Sequence, residues 1–413
     1  MSPHFIFILF VLILVFNFAL ERFTSYLNSK HFNDTVPEDL KGVYTQEKYE
    51  KSQHYKLVNY KFDMVQATFS FVLLMLFIFL NGFKWLDTFV RQYSSNSLVI
   101  SMLFFGILFI ASTLISFPFN YYHTFVIEER FGFNKMNKTL FIKDTLKSVA
   151  LTLIIGGGVL VVILWFYQLF PNTFWLYTWL FIAIFSLFMN LFYTKLIVPL
   201  FNKLTPLEAG TLKTTLEAFA KKVSFNLKAI FLIDGSKRST KANAYFSGFG
   251  KTKKVILYDT LLKDLSDNEI AAVLAHEIGH YKKNHIIYNL ILSILLTGIT
   301  LFILSIFINN PILSQAVSIN KPSFHIGIII FMILYAPISV LTGLLMNILS
   351  RKFEYQADNF AKNYGYANHL MEALKKLSTK SLSNLTPHKF YVFLNYSHPT
   401  LLQRIQNLKQ KRV

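Results

Sequence analysis

Two histidines four residues apart stand in the run Ala275-His276-Glu277-Ile278-Gly279-His280. On a helix, positions four apart share one face, so both imidazoles can aim at a single ion. Glu277 lies beside them, off the ligand pair but within reach of a water bound to that ion. Two neutral nitrogen ligands, an open coordination position and a carboxylate able to take a proton from water make a hydrolytic zinc centre. The same pattern arises by chance in solvated helices, so its surroundings decide what it means.

A zinc centre needs at least a third protein ligand. The chain has no cysteine, so that ligand must offer nitrogen or oxygen. Glu354 and Asp358, in Phe353-Glu354-Tyr355-Gln356-Ala357-Asp358, are spaced to put two carboxylates on one helical face. One can bind the ion while the other accepts the free N–H of a ligating imidazole. The alternative is an ordinary solvated acidic pair beside Arg351 and Lys352. With only 22 acids in the chain and a histidine pair upstream, the metal reading is favoured. Further on, His398 precedes Pro399, which biases it to extended backbone at the start of a helix through Leu401, Leu402 and Ile405. His398 and Arg404 could donate hydrogen bonds to an oxyanion.

These residues are carried by a chain of 413 residues, 53% hydrophobic and 15% charged, with 44 phenylalanines. A mean hydropathy of +0.42 belongs to a polytopic membrane protein rather than a soluble one. Seven stretches reach the roughly 20 apolar residues that cross a bilayer, at about 3–20, 65–86, 97–117, 148–170, 175–197, 286–308 and 324–349. The first has no Lys or Arg at its start and no small-residue cleavage site after it, so it is expected to be a retained helix rather than a signal peptide. Gly156-Gly157-Gly158 in the fourth is expected to admit a neighbouring backbone or to bend the helix, and Pro337 to kink the seventh.

The formal charge of +19 raises nucleic-acid binding as a possibility that the distribution of charge removes. The segments 21–64, 118–147, 195–285 and 350–413 carry 7, 5, 15 and 11 Lys plus Arg, which is 38 of the 41. The alternate segments carry only Lys84, Arg91 and Lys321. With an odd number of spans the rich segments share one side, and the positive-inside rule puts them in the cytoplasm and the N-terminus outside. No nucleic-acid partner is expected.

Between the fifth and sixth spans, Leu212 to Lys222 is predicted helical. Ala229–Ile233, Asn243–Phe246 and Val255–Tyr258 are predicted as strands, the last two joined through Gly248-Phe249-Gly250. Ser266 with Glu269 three residues later is a capping box that starts the helix of His276 and His280. That helix should run into, or abut, the sixth span near Ile286, which puts the site close to the inner membrane face.

Taken in order, these stretches resemble the integral-membrane CAAX prenyl proteases, the type I zinc-dependent endopeptidases. Pro118-Phe119-Asn120-Tyr121-Tyr122 leads into Phe125 to Asn134 (Phe-Val-Ile-Glu-Glu-Arg-Phe-Gly-Phe-Asn). Then come Pro199 to Leu207, Asp234 to Ser239, Asn243-Ala244-Tyr245-Phe246, the His-Glu-Ile-Gly-His run, Glu354 to Asp358 and Ser397-His398-Pro399-Thr400. The resemblance covers nearly the whole chain. It implies an α-helical polytopic membrane protein whose seven transmembrane helices form a barrel around a chamber, with a small α+β zinc-metallopeptidase domain on the cytoplasmic side. By the resemblance, His276, His280 and Glu354 hold one Zn²⁺ and Glu277 is the catalytic base. Asp358 supports the site or donates a proton, and His398 and Arg404 flank the scissile carbonyl. Asn243, Ala244, Tyr245 and Phe246 form the edge strand that binds substrate. One departure is Thr240-Lys241, where a Ser-His type sequence is expected; it bears on substrate preference.

The expected division is 1–200 as a five-span membrane domain and 201–413 as a metallopeptidase domain including spans six and seven. The expected partners are the lipid bilayer and a peptide or C-terminal protein substrate, prenylated or not. The expected location is a bacterial inner membrane or the endoplasmic reticulum, with the site facing the cytoplasm. A four-span heat-shock-type quality-control protease shares the His-Glu-x-x-His and Glu motifs, but seven spans and the Phe125–Asn134 block disfavour it. A seven-span receptor or transporter is disfavoured by spans almost free of ionisable groups.

Overall fold

Seven helices are long and apolar enough to cross a membrane: Pro3–Ser29, Gln46–Phe79, Ser97–Glu128, Lys138–Leu169, Phe174–Phe201, His285–Phe307 and Phe324–Asn363, numbered here as spans one to seven. The computed structural model describes residues 2–247 and 254–410. The connection through Gly248-Phe249-Gly250 and the tail Lys411-Arg412-Val413 lie outside the described residues. Side chains such as Leu114 and Ile154 stand 68% and 70% exposed on the outer faces. In water such continuous apolar surface would drive aggregation; against lipid tails it is the expected exterior. The inner faces are different. Arg22, Asn59, Asp63, Gln66 and Ser70, from spans one and two, line an interior cavity of about 690 Å³.

All seven spans are present, but several ends differ from the sequence reading. The second span stops at Phe79 instead of continuing to 86. Asn81 adopts a left-handed φ of 56°, and a separate helix, Gly82–Val90, turns back beneath Phe77. A Cβ at Gly82 would lie 2.4 Å from the Phe77 ring, so only glycine fits that reversal. The second and fourth spans also start earlier, at Gln46 and Lys138, capped by the side chains of Thr45 and Asn137. Hydropathy marks where lipid begins, whereas the helix continues past that boundary into polar sequence. The expected backbone approach at Gly156-Gly157-Gly158 is not found. A Cβ at Gly157 would meet only the Met102 side chain at 3.7 Å, and Gly158 has nothing within 4 Å. The helix instead carries a π-turn at Thr152–Gly156.

Beneath the spans sits a four-stranded sheet in the order β1-β2-β4-β3, made of Leu204–Pro206, Ala229–Ile233, Lys254–Tyr258 and Ala244–Ser247 respectively. β1, three residues ending in a proline, was not legible in the sequence. β3 begins at Ala244 rather than Asn243. It pairs antiparallel with β4, Ala244 opposite Leu257 and Tyr245 opposite Ile256, and is the edge strand of the sheet among the described residues. Helices Thr211–Lys222, Asp267–Lys282, Ala367–Lys380 and Leu401–Lys409 complete this unit. Its core joins Leu216, Phe219, Ile230, Leu257, Ile270 and Leu274.

Helix Asp267–Lys282 starts with the full capping box of Ser266 and Glu269. It ends where Asn284 takes a left-handed φ of 59°, and the sixth span begins at His285, so the two helices abut rather than merge. The helix packs along the lower part of the seventh span. Their closest approach is at Gly279, where a Cβ would be 2.9 Å from the Ala357 Cα and 3.1 Å from its carbonyl oxygen. Glycine there lets the backbones come near enough for side chains on both helices to share one centre. The seventh span is continuous from Phe324 to Asn363 despite Pro337, so Glu354 and Asp358 ride on the same helix that crosses the membrane.

Candidate active site

His276, His280 and Glu354 converge among the described residues, with one ligand atom from each lying within 4.8 Å of the others. The two Nε2 atoms are 3.1 Å apart. Glu354 places Oε1 3.1 Å from His280 Nε2 and Oε2 3.5 Å from His276 Nε2. Donors about 2.0–2.2 Å from a tetrahedral zinc are separated by roughly 3.3–3.6 Å, so the two imidazoles and the carboxylate are near enough to share one ion, with a different Glu354 oxygen facing each histidine. Glu354 Oε2 is buried and makes no hydrogen bond among the described residues. Arg404 Nη1 stands 3.5 Å from it without a hydrogen bond, so the oxygen keeps a lone pair that a metal ion can take. Two imidazoles and a carboxylate suit zinc by donor chemistry.

Each ligand is oriented from behind. His276 places Nδ1 2.8 Å from Asp358 Oδ1, which leaves Nε2 facing the centre. Asp358 is fully buried, and Arg404 donates to both its oxygens, Nε to Oδ2 at 2.9 Å and Nη2 to Oδ1 at 2.6 Å. Burial disfavours the Arg404 charge, but the Asp358 carboxylate outweighs it and raises the guanidinium pKa. His280 has its Nδ1 3.0 Å from the Nδ1 of His285. His285 Nε2 is 2.7 Å from Gln356 Oε1, and the ring stacks on Phe353 with centroids 4.1 Å apart. The sequence reading missed His285 and Gln356. A histidine five residues past His280, and a glutamine two past Glu354, are the only signals that could have pointed to them.

Of the residues expected at the site, His276, Glu277, Glu354, His398 and Arg404 line one cleft of about 620 Å³. Asn243 and Ala244, at the free edge of the sheet, line it too. Burial pushes the Glu277 carboxyl above the usual carboxylate range, against the pull of the His276 and His280 imidazoles. His398 is exposed to the cleft, with Nε2 3.4 Å from Glu354 Oε1 and Nδ1 2.9 Å from Ser397 Oγ. His280 and Asp358 are not on the cleft wall. Tyr245 points the other way and packs with Val198, Ile233 and Ile256; the Phe246 side chain is outside the described residues.

Residues 206–412 match peptidase family M48, and residues 25–203 match the CAAX prenyl protease N-terminal region of five membrane helices. The chain belongs to peptidase family M48. Within M48 it is 35% identical to the CAAX prenyl protease 1 homolog of Oryza sativa subsp. japonica over 409 residues, covering 96% of each chain. It is also 35% identical to CAAX prenyl protease 1 of Saccharomyces cerevisiae over 418 residues, covering 95% of this chain and 92% of that one. The crystal structure of S. mikatae Ste24p superposes with a TM-score of 0.93 at 33% identity, covering 98% of this chain and 99% of the other. The protein is thus an M48 metalloendopeptidase with a multi-pass membrane fold, in the CAAX prenyl protease branch. The four-span quality-control enzyme and the receptor or transporter readings are not favoured.

Proposed function

We propose that this M48 peptidase is a zinc enzyme that cleaves peptide bonds near the C-terminus of prenylated C-a-a-X proteins, with its cleft on the cytoplasmic side. The observation that carries the reading is the convergence of His276, His280 and Glu354, one ligand atom from each within 4.8 Å of the others, beside a cleft that also holds Glu277 and the edge strand. Zinc held by those three residues would supply a Lewis acid that acidifies water and polarises a carbonyl. The other tasks fall to this chain. Substrate backbone pairs in extended form on the edge at Asn243–Phe246. Glu277 takes a proton from the attacking water and returns it to the leaving amine. His398, and Arg404 through Nη1, the one guanidinium nitrogen not bonded to Asp358, donate to the carbonyl oxygen as its charge grows. Asp358, with both oxygens engaged, holds His276 in its tautomer and stays out of the proton path.

The cytoplasmic orientation is supported by the 38 of 41 Lys and Arg on the four segments that share one side, two of which, 195–285 and 350–413, carry the site. We divide the chain at about residue 200 into a five-span membrane domain, 1–200, and a metallopeptidase domain, 201–413. The names of the relatives support the substrate class. The test is incubation of purified, zinc-loaded protein with a farnesylated C-a-a-X peptide and its unprenylated twin, followed by mass spectrometry. Release of a C-terminal tripeptide, faster from the farnesylated peptide, is expected. Equal rates would remove the prenyl preference, and no metal-dependent cleavage of either peptide would sink the reading.

A further inference from the structure

The catalytic cleft and the interior cavity of about 690 Å³ meet at a shared wall made by Lys56, Asn384, Asn395 and Tyr396. Two hydrogen-bond donors on that wall lack acceptors. Lys56, projecting from the second span, makes no ion pair or hydrogen bond among the described residues; its ammonium lies 5.3 Å from the centre of the Tyr55 ring and feels the charges of Lys241 and Glu128 without touching either. Nδ2 of Asn384 is buried without a partner, while its Oδ1 accepts from the Thr386 backbone N–H at 3.1 Å. That second bond fixes which end of the amide is the donor. The neighbouring cations are committed elsewhere. Lys241 donates to Glu128 Oε2 at 2.7 Å, with Tyr55 donating to Oε1 of the same carboxylate at 2.5 Å, and Arg404 is taken by Asp358. Glu128, the acid nearest in chemistry to balance Lys56, is therefore already satisfied.

A half-buried ammonium and a buried amide N–H without acceptors cost free energy unless an anion comes to them. One ammonium and one amide match the two oxygens of a single carboxylate; a polyanion would call for more charge. The position matters as much as the chemistry, because these donors share a cleft with Glu277 and with the strand edge at Asn243 and Ala244. We propose that Lys56 and Asn384 form a subsite for the free α-carboxylate at the substrate's C-terminus, which sets how far from the chain end the peptide bond is cut. The subsite rests on the endopeptidase reading above and adds to it a requirement for an unblocked C-terminus.

The experiment uses full-length protein in liposomes and one fluorescent C-a-a-X peptide made as free acid and as C-terminal amide. Binding is measured on a Glu277→Gln background and turnover on the otherwise unaltered enzyme. The acid should bind about tenfold more tightly than the amide, the weight of one charge-assisted contact. Lys56→Met should erase that difference by weakening the acid alone, Lys56→Arg should keep most of it, and Asn384→Ala should lose part. In turnover the same variants should raise KM for the acid and leave kcat and the amide's KM unchanged. A merely structural role for Lys56 would weaken both peptides alike, and that result overturns the subsite. So does equal affinity for acid and amide, even where both are cleaved. Absence of cleavage with the acid–amide difference intact overturns the endopeptidase reading instead.

Discussion

The two ends of the seventh span meet the same three residue types in similar contacts, yet only one end carries the candidate active site. Near its start, His325 Nε2 lies 2.8 Å from Asp87 Oδ1, and Arg91 Nε donates to Asp87 Oδ2 at 2.8 Å. Near its other end, roughly 50 Å along the helix, His276 Nδ1 lies 2.8 Å from Asp358 Oδ1 and Arg404 clamps Asp358. Both are buried His–Asp–Arg chains. They part at the second imidazole nitrogen. At the His325 end, Nδ1 meets Ser101 Oγ at 3.0 Å, which in turn donates to the Ser97 carbonyl at 2.9 Å, so both imidazole nitrogens are engaged. At the inner end His276 Nε2 faces His280 and Glu354, a carboxylate oxygen lacks a hydrogen bond, and a cleft stands open beside them. Burial of ionisable groups marks both places; an unspent lone pair next to open space marks only the one that does chemistry.

The difference can be broken from either side. Glu277→Gln should have the largest effect, lowering cleavage about 10²–10⁴-fold, the range of a lost general base, while metal content measured by atomic emission stays stoichiometric. Turnover at the unaltered rate would remove Glu277 from the mechanism. Asp358→Asn should come next. With His276 no longer held, metal affinity should fall by about 10- to 100-fold in a chelator competition, and activity should return at high added zinc. His285→Ala frees the back of His280 in the same way but leaves Arg404 and Asp358 in place, so a smaller loss of about tenfold is expected in that titration. Asp87→Asn should have the smallest effect on catalysis. Cleavage per folded molecule should be unchanged, while thermal unfolding moves down by an amount corresponding to about 3 kcal/mol for a broken buried pair. A catalytic defect there, with metal retained, would mean the two ends are coupled.

Much of the inner end was readable before any coordinates. His276, Glu277, His280, Glu354 and Asp358 are local patterns, set by helical periodicity, and the Ser266–Glu269 box is a local hydrogen-bond exchange. What could not be read is what depends on another element. Gly279 looks like any helical glycine until Ala357 lies against it, and its closeness is what brings Glu354 to the histidines. His285 lies in an apolar helix start and gains meaning only from Gln356 on another span. The second span was misjudged at its end for a similar reason: Leu80 and Trp85 are apolar enough to continue it, and the reversal at Asn81 is settled by Phe77 packing over Gly82. Residues 248–253, which follow β3, lie outside the described residues.

The unpaired side of β3 has one more consequence. An open strand edge will zip onto almost any extended chain, which is why soluble proteins blunt or cover theirs. Here the start of the strand, at Asn243 and Ala244, lines the same cleft as Glu277 and Glu354. On the proposed reading, an edge that binds backbone selects for extended shape before sequence, and flexible tails pass where the same residues inside a folded domain do not.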